Sequence, residues 1–234
     1  MAGHSHWAQI KHKKAQADLK KGKLLNKLIN SIVIAAREGG DPNLNPKLRS
    51  AIERAKEFNV PKENIEKAIR RGAGLEAGSF LEEVLYEAYG PGGVGLIIKT
   101  ITDNKNRTAA EIRSVLSKGD AKLANPGSVI WNFVERGVII IKKDDLKEEE
   151  IFNLPIVDFQ EKDDNWLLIV SLENMNEIKE KLEKLGITSI ESKIELIPKS
   201  TVEIGEKDKE KLGKLIDELL DLSDVQEVFT NLPE

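Results

Sequence analysis

Cysteine is absent from the 234 residues, and methionine (two), tyrosine (two), tryptophan (three) and histidine (three) are scarce. Without cysteine there is no disulfide framework, no thiolate metal site and no thiol nucleophile, and a reducing compartment is the natural home. Apolar runs such as residues 32–36 and 138–141 are far shorter than the roughly 18 residues of a membrane span. The opening stretch has no apolar core of the kind a secretory signal needs, so a cytoplasmic protein with no membrane partner is expected. What remains is 40% apolar and 32% charged, the composition of a chain that folds and buries real cores.

The net charge of −4 conceals an asymmetry. Residues 1–75 hold 16 Lys+Arg against 7 Asp+Glu, a net of +9, whereas residues 76–234 hold 20 against 33, a net of −13. One end seeks polyanions and the other repels them.

Residues 1–14 have no apolar periodicity and read as a flexible basic arm. Leu24, Leu25, Leu28, Ile29, Ile32, Val33 and Ala36 then fall at the spacings of one helix face, with Gly39-Gly40 as the stop. Asn45 caps a second helix with Pro46 at its first position, and Leu48, Ile52 and Ala55 form its buried stripe. A third opens at Pro61, buries Ile65, Ala68 and Ile69, and ends at Gly72 after Arg70-Arg71. These helices make a helical domain over 15–75.

A Gly-rich hinge at 72–78 precedes strands over 81–89 and 94–102, which a Gly-Pro-Gly-Gly turn joins as a hairpin. A helix over 108–118 with a Thr108–Glu111 capping box follows, then a strand over 128–134. From Gly137 the order is strand 138–142, helix 145–153, strands near 156–160 and 166–172, helix 174–185 and strand 188–197, which is β-α-β-β-α-β. The tail adds a helix striped by Leu212, Leu215, Ile216, Leu219 and Leu220, and a strand over 225–230. The fold class is α+β. An α/β domain over 79–135 plus 203–234 is interrupted by an inserted one over 136–202.

The arm gathers His4, His6, Trp7, Lys11, Lys13 and Lys14, and the first helix turns carry Lys20, Lys21, Lys23 and Lys27. Lysines supply phosphate contacts and Trp7 suits stacking on an unpaired base, so nucleic acid is the expected partner, with Arg70 and Arg71 added from the third helix. With the initiator methionine removed, Ala2-Gly3-His4 would wrap Cu(II) or Ni(II), as many unrelated chains do by accident; no metal and no cofactor is assigned. Gly90-Pro-Gly-Gly-Val-Gly95 fits G-x-G-x-x-G, but a β-branched strand follows it instead of a helix N-terminus, so it is read as the hairpin turn. Between a strand end and a helix start, Asp103, Asn104, Asn106 and Arg107 form either a polar site or an Asx turn with its cap. No nucleophile elbow occurs, and all three histidines lie in the arm. Not an enzyme is therefore the reading, with a metal-dependent site in an acidic interdomain cleft as the remote alternative.

Met1-Ala-Gly-His-Ser-His-Trp7, Ile10-Lys11 with Lys14, Gly39-Gly-Asp-Pro42, Tyr86-Glu-Ala-Tyr-Gly-Pro-Gly-Gly93 and Thr102-Asp-Asn-Lys-Asn-Arg107 resemble the YebC/PmpR family from the first residue to the tail. The resemblance implies a helical N-terminal domain and two ferredoxin-like α/β domains, the third inserted in the second. It implies a DNA-binding transcriptional regulator as the family is labelled. The alternative the resemblance implies is a ribosome- or rRNA-binding translation factor that relieves stalling, a role in which related bacterial proteins are implicated, while the mitochondrial relatives are translational activators of cytochrome c oxidase subunit I. The implied contacts are the arm and first-helix cations with the 103–107 turn, and no catalytic residue. Gly119-Asp120 departs from the Gly pair of many members, which puts that helix exit in doubt as a shared contact. A protein partner on the acidic α/β domains completes the expectation.

Overall fold

The computed structural model describes residues 17–78, 80–189 and 191–233, with side chains from Gly22 onward. The chain falls into two compact units, one built from residues up to Asn132 together with Ser200 onward, the other from Phe133–Lys199.

In the first unit α1 (Ala17–Ala35) is the axis on which α2 (Pro46–Glu57) and α3 (Lys62–Gly72) pack. Leu28, Ile32 and Val33 of α1 meet Leu48, Ile52, Ala55, Ile65 and Ala68, each largely removed from water, at about 1.5–3 kcal/mol for a fully buried large aliphatic chain. Asn45 joins the helices twice over: its Oδ1 accepts from Leu48 N at 3.0 Å, and its Nδ2 donates to Ala35 O (2.7 Å) and Gly39 O (2.8 Å). One buried amide thus satisfies the orphan groups of two helix ends.

α3 ends at Gly72, as the sequence indicated, but the left-handed residue that closes the end lies two positions on. It is Gly74, at φ 76°, where Gly74 N donates to Arg71 O and Leu75 N to Arg70 O in a Schellman arrangement. Gly72 is required for a close approach: a Cβ there would stand 2.4 Å from Val33 O and 2.6 Å from Ala36 Cβ.

β1 (Glu82–Tyr89) and β2 (Gly95–Thr102) form an antiparallel hairpin in which Tyr89 pairs with Gly95 across the Gly90–Gly93 turn. Gly92 and Gly93 there adopt φ 70° and 79°. α4 (Lys105–Lys118), the two-residue β3 (Lys122–Leu123), α7 (Glu206–Leu220) and β8 (Val225–Thr230) complete the unit. The sheet order is β3-β1-β2-β8, and Leu96, Ile98 and Val228 share a core with Ile112 and Leu116 of α4 and Leu212, Leu215 and Leu219 of α7. The helical core reaches this sheet through Leu81 and Ile101. Asp120, just after α4, takes φ 55°, and its carboxylate reaches Lys211 Nζ at 2.6 Å. Asp tolerates that left-handed position better than most non-Gly residues.

The second unit runs β4 (Phe133–Lys142), α5 (Glu148–Ile151), β5 (Asp158–Lys162), β6 (Asn165–Val170), α6 (Met175–Lys184), β7 (Glu191–Pro198). Its sheet order β5-β6-β4-β7, antiparallel throughout, is that of a split β-α-β fold. Separate strands over 128–134 and 138–142 are not what forms. The Glu87 carboxylate takes the N–H groups of Gly127, Val129 and Ile130 at 2.6, 2.5 and 2.9 Å, which removes donors a ladder would need. Gly137 lies inside β4, where a Cβ would meet Val170 Cγ2 at 2.7 Å; it permits close packing and breaks nothing.

Candidate nucleic-acid interface

At the end of β2 the chain turns into α4. Asn104 is the N-cap, its Oδ1 accepting from Arg107 N at 3.1 Å while its own N–H donates to Thr102 Oγ1 at 2.8 Å. The Arg107 guanidinium donates through Nη2 to Asp224 Oδ2 (2.7 Å) and Asp103 Oδ1 (3.1 Å), and Thr108 Oγ1 lies 2.7 Å from the same Asp224 oxygen. The Asp224 hydrogen bond and charge, followed by those of Asp103, raise the Arg107 pKa further above its ordinary value. Asp224 arrives because the β2–β8 register shifts between Lys99 and Thr100 while Ile101 N bonds Asp224 O, which leaves the carboxylate facing the α4 N-terminus. Tyr86 OH donates to Lys105 O, and Lys105 pairs with Glu82 at 2.7 Å.

Of the residues singled out in this turn, Asp103, Asn104 and Arg107 come together, and Asn106 stands exposed beside them. Much of their hydrogen-bonding capacity is spent on capping α4 and fixing the α7–β8 loop. Asp224, 117 residues from Arg107 in the chain, is the member of the cluster that sequence reading did not supply.

The same loop engages α1. Lys27 Nζ donates to Leu220 O at 2.6 Å and Lys23 Nζ to Asp221 O at 2.9 Å, so two α1 cations sit on the C-terminal carbonyls of α7, at the negative end of its dipole. Lys27 is only 7% exposed. Burial, partly offset by Asp221 and Asp224 and reinforced by Lys23, lowers its pKa to about 8. Lys27 therefore faces protein, not solvent phosphate, in this structure. Arg70 pairs with Glu76 at 2.8 Å, and Arg71 packs where a Cβ on Gly78 would meet its Nε at 2.4 Å.

His4, His6, Trp7, Lys11, Lys13 and Lys14, with the Ala2-Gly3-His4 copper set, lie outside the described residues, as do the side chains of Lys20 and Lys21. Arg49 and Lys56, exposed and seven residues apart on one stripe of α2, and exposed Lys67 on α3 make no ion pair with another described residue. Among the described residues no cluster of His, Asp or Glu suits a metal ion, and no helix is long and apolar enough to cross a membrane.

Residues 5–75 match the TACO1/YebC protein N-terminal domain, and residues 81–232 match the TACO1/YebC second and third domain. The chain belongs to the TACO1/YebC family. A probable transcriptional regulatory protein of Caldanaerobacter subterraneus is 47% identical over 99% of this chain and 98% of its own. Another, from Dictyoglomus thermophilum, is 48% identical over 99% of this chain and 95% of its own. The crystal structure of a conserved hypothetical protein from Aquifex aeolicus, 43% identical, superposes with a TM-score of 0.85 over 98% of both chains. The names of these curated relatives describe regulators and no enzyme, and the mixed helix and sheet class with two antiparallel sheets is as the sequence indicated.

Proposed function

We propose that the protein is a nucleic-acid-binding regulator of gene expression, acting on DNA as a transcriptional regulator. The observation that carries this reading is the charge asymmetry, +9 over residues 1–75 against −13 over the rest. With Lys23, Lys27, Arg70 and Arg71 engaged within the protein, phosphate contact in the free form rests on Lys11, Lys13, Lys14, Lys20 and Lys21, joined by exposed Arg49, Lys56 and Lys67. The acidic α/β units offer a second surface to a protein partner and keep uniform duplex away from themselves. That repulsion favours one second reading, an irregular RNA such as ribosomal RNA, against which an arm with Trp7 and histidines would pack.

The test is fluorescence anisotropy with a labelled duplex DNA and a single-stranded RNA across a range of salt. Replacing Lys11, Lys13, Lys14, Lys20 and Lys21 by Ala should weaken binding and flatten the log–log salt slope on duplex by up to about 4. Unchanged affinity and slope refute the reading. Sedimentation of lysates with and without DNase separates the targets: arm-dependent comigration with ribosomes that survives DNase favours RNA, and retention on chromosomal DNA lost with DNase favours transcription.

A further inference from the structure

We propose that the contact between α1 and the C-terminal end of α7 is autoinhibitory: the Leu220 and Asp221 carbonyls occupy Lys23 and Lys27, which pass to a polyanion when the helical array lifts from the sheet. The proposal rests on the nucleic-acid reading above and adds its regulation.

Both ammonium groups are held by backbone carbonyls at 2.6 and 2.9 Å, at a helix end worth about half a negative charge. A phosphate offers the same acceptor geometry with a full charge, and charge-assisted bonds to it are stronger. Lys27 bears its charge in a nearly water-free position, with Lys23 on its own helix and Asp221 and Asp224 facing it from the α7–β8 loop. Arg107 already claims Asp224, so that carboxylate is shared between two cations. Release would hydrate Lys27 and restore its ordinary basicity. The apolar part of the contact is small, since beyond residue 78 the buried members of the helical core are Leu81 and Ile101. Residues 73–78, which join the array to the sheet, form neither helix nor strand. Lys11, Lys13, Lys14, Lys20 and Lys21 precede the pair in the same chain, so a polyanion held by them meets Lys23 and Lys27 at high effective concentration.

The chain's lack of cysteine makes the test direct. Glu57→Cys on α2 and Glu218→Cys on α7, both exposed positions outside the cations assigned to phosphate, accept a donor–acceptor dye pair. Saturating a 20-base-pair DNA duplex at low salt should lower energy transfer as the array lifts. Independently, Asp221→Asn should tighten duplex binding about threefold or more beyond Glu203→Gln, which removes the same charge from an exposed site elsewhere in the unit. Duplex binding with transfer unchanged overturns the autoinhibition and leaves the nucleic-acid reading standing. Equal gains in the two variants reduce the effect to long-range repulsion and overturn it too. No duplex binding by the unlabelled protein removes both.

Discussion

Lys27 allows the energetics of the first unit to be tested one proton at a time. Burial takes its pKa from 10.5 to about 8, and at 1.36 kcal/mol per unit the docked fold carries about 3 kcal/mol of charge-burial cost at pH 7. Between pH 8 and 10.5 the unfolded chain binds more protons than the native one, so stability rises with pH across that window; below pH 8 the cost is present in full. Lys27→Met keeps the length and apolar stem, removes the charge and gives up one donor to Leu220 O, a loss of about 1 kcal/mol. The variant should therefore exceed the parent by about 2 kcal/mol at pH 7, and the gap should close toward zero near pH 9.5. Hydrogen–deuterium exchange of α1 and α7 amides over this range reads the local opening free energy directly. A gap independent of pH, or a variant less stable throughout, would refute the assignment of Lys27 as a buried, costly cation.

Asn45→Ala strips a cap and two bridging bonds from adjoining helix ends, with an expected loss of about 2 kcal/mol in urea denaturation and earlier exchange of α2 amides. Gly72→Ala forces a methyl into Val33 O and Ala36 and should cost about 1–3 kcal/mol, whereas Gly22→Ala, with open space around it, should not. Glu87→Gln leaves the shape and removes the charge that three N–H groups surround. Burial opposes ionisation of Glu87, but those donors outweigh it and hold its pKa below the usual value, so it stabilises above about pH 4.3 and the benefit is lost as pH falls through the native value. Acid titration should find the parent more acid-sensitive than the Gln variant, which should be about 2 kcal/mol weaker at pH 7.

The elements that could be read from sequence are those whose determinants lie within a few residues of one another. The Leu28–Ile32–Val33 stripe, the Asn45-Pro46 start and the Gly-Pro-Gly-Gly hairpin each carry their cause locally. Gly72 marks the end of α3, but the reason for glycine there is not legible, because left-handed backbone and close approach look alike in a sequence; Gly74, two residues on, holds the first and Gly72 the second. The segment 128–134 had strand composition, but its N–H groups were claimed by Glu87, some 40 residues earlier. Lys23 and Lys27 are basic residues on a helix, and nothing nearby indicates that their ammonium groups end on α7, almost 200 residues later. Charge and resemblance located the cations, and tertiary structure decided which of them are already occupied.

The insertion of Phe133–Lys199 into the first unit has a consequence for the order of synthesis. Asn132 and Ser200 are stitched together by Asn132 Nδ2 to Ser200 O at 2.8 Å and Ser200 N to Asn132 Oδ1 at 3.0 Å, so the two cut ends of the host meet. β8 follows every other described strand in the chain, yet it pairs along β2, the second. While a chain is being translated, the inserted sheet has every strand it needs before its host does, and β2 waits with one edge unpaired until residues 225–230 emerge. A nascent chain halted before them exposes that Ile-rich edge, so the host sheet reaches its native pairing only after residues 225–230 have been made.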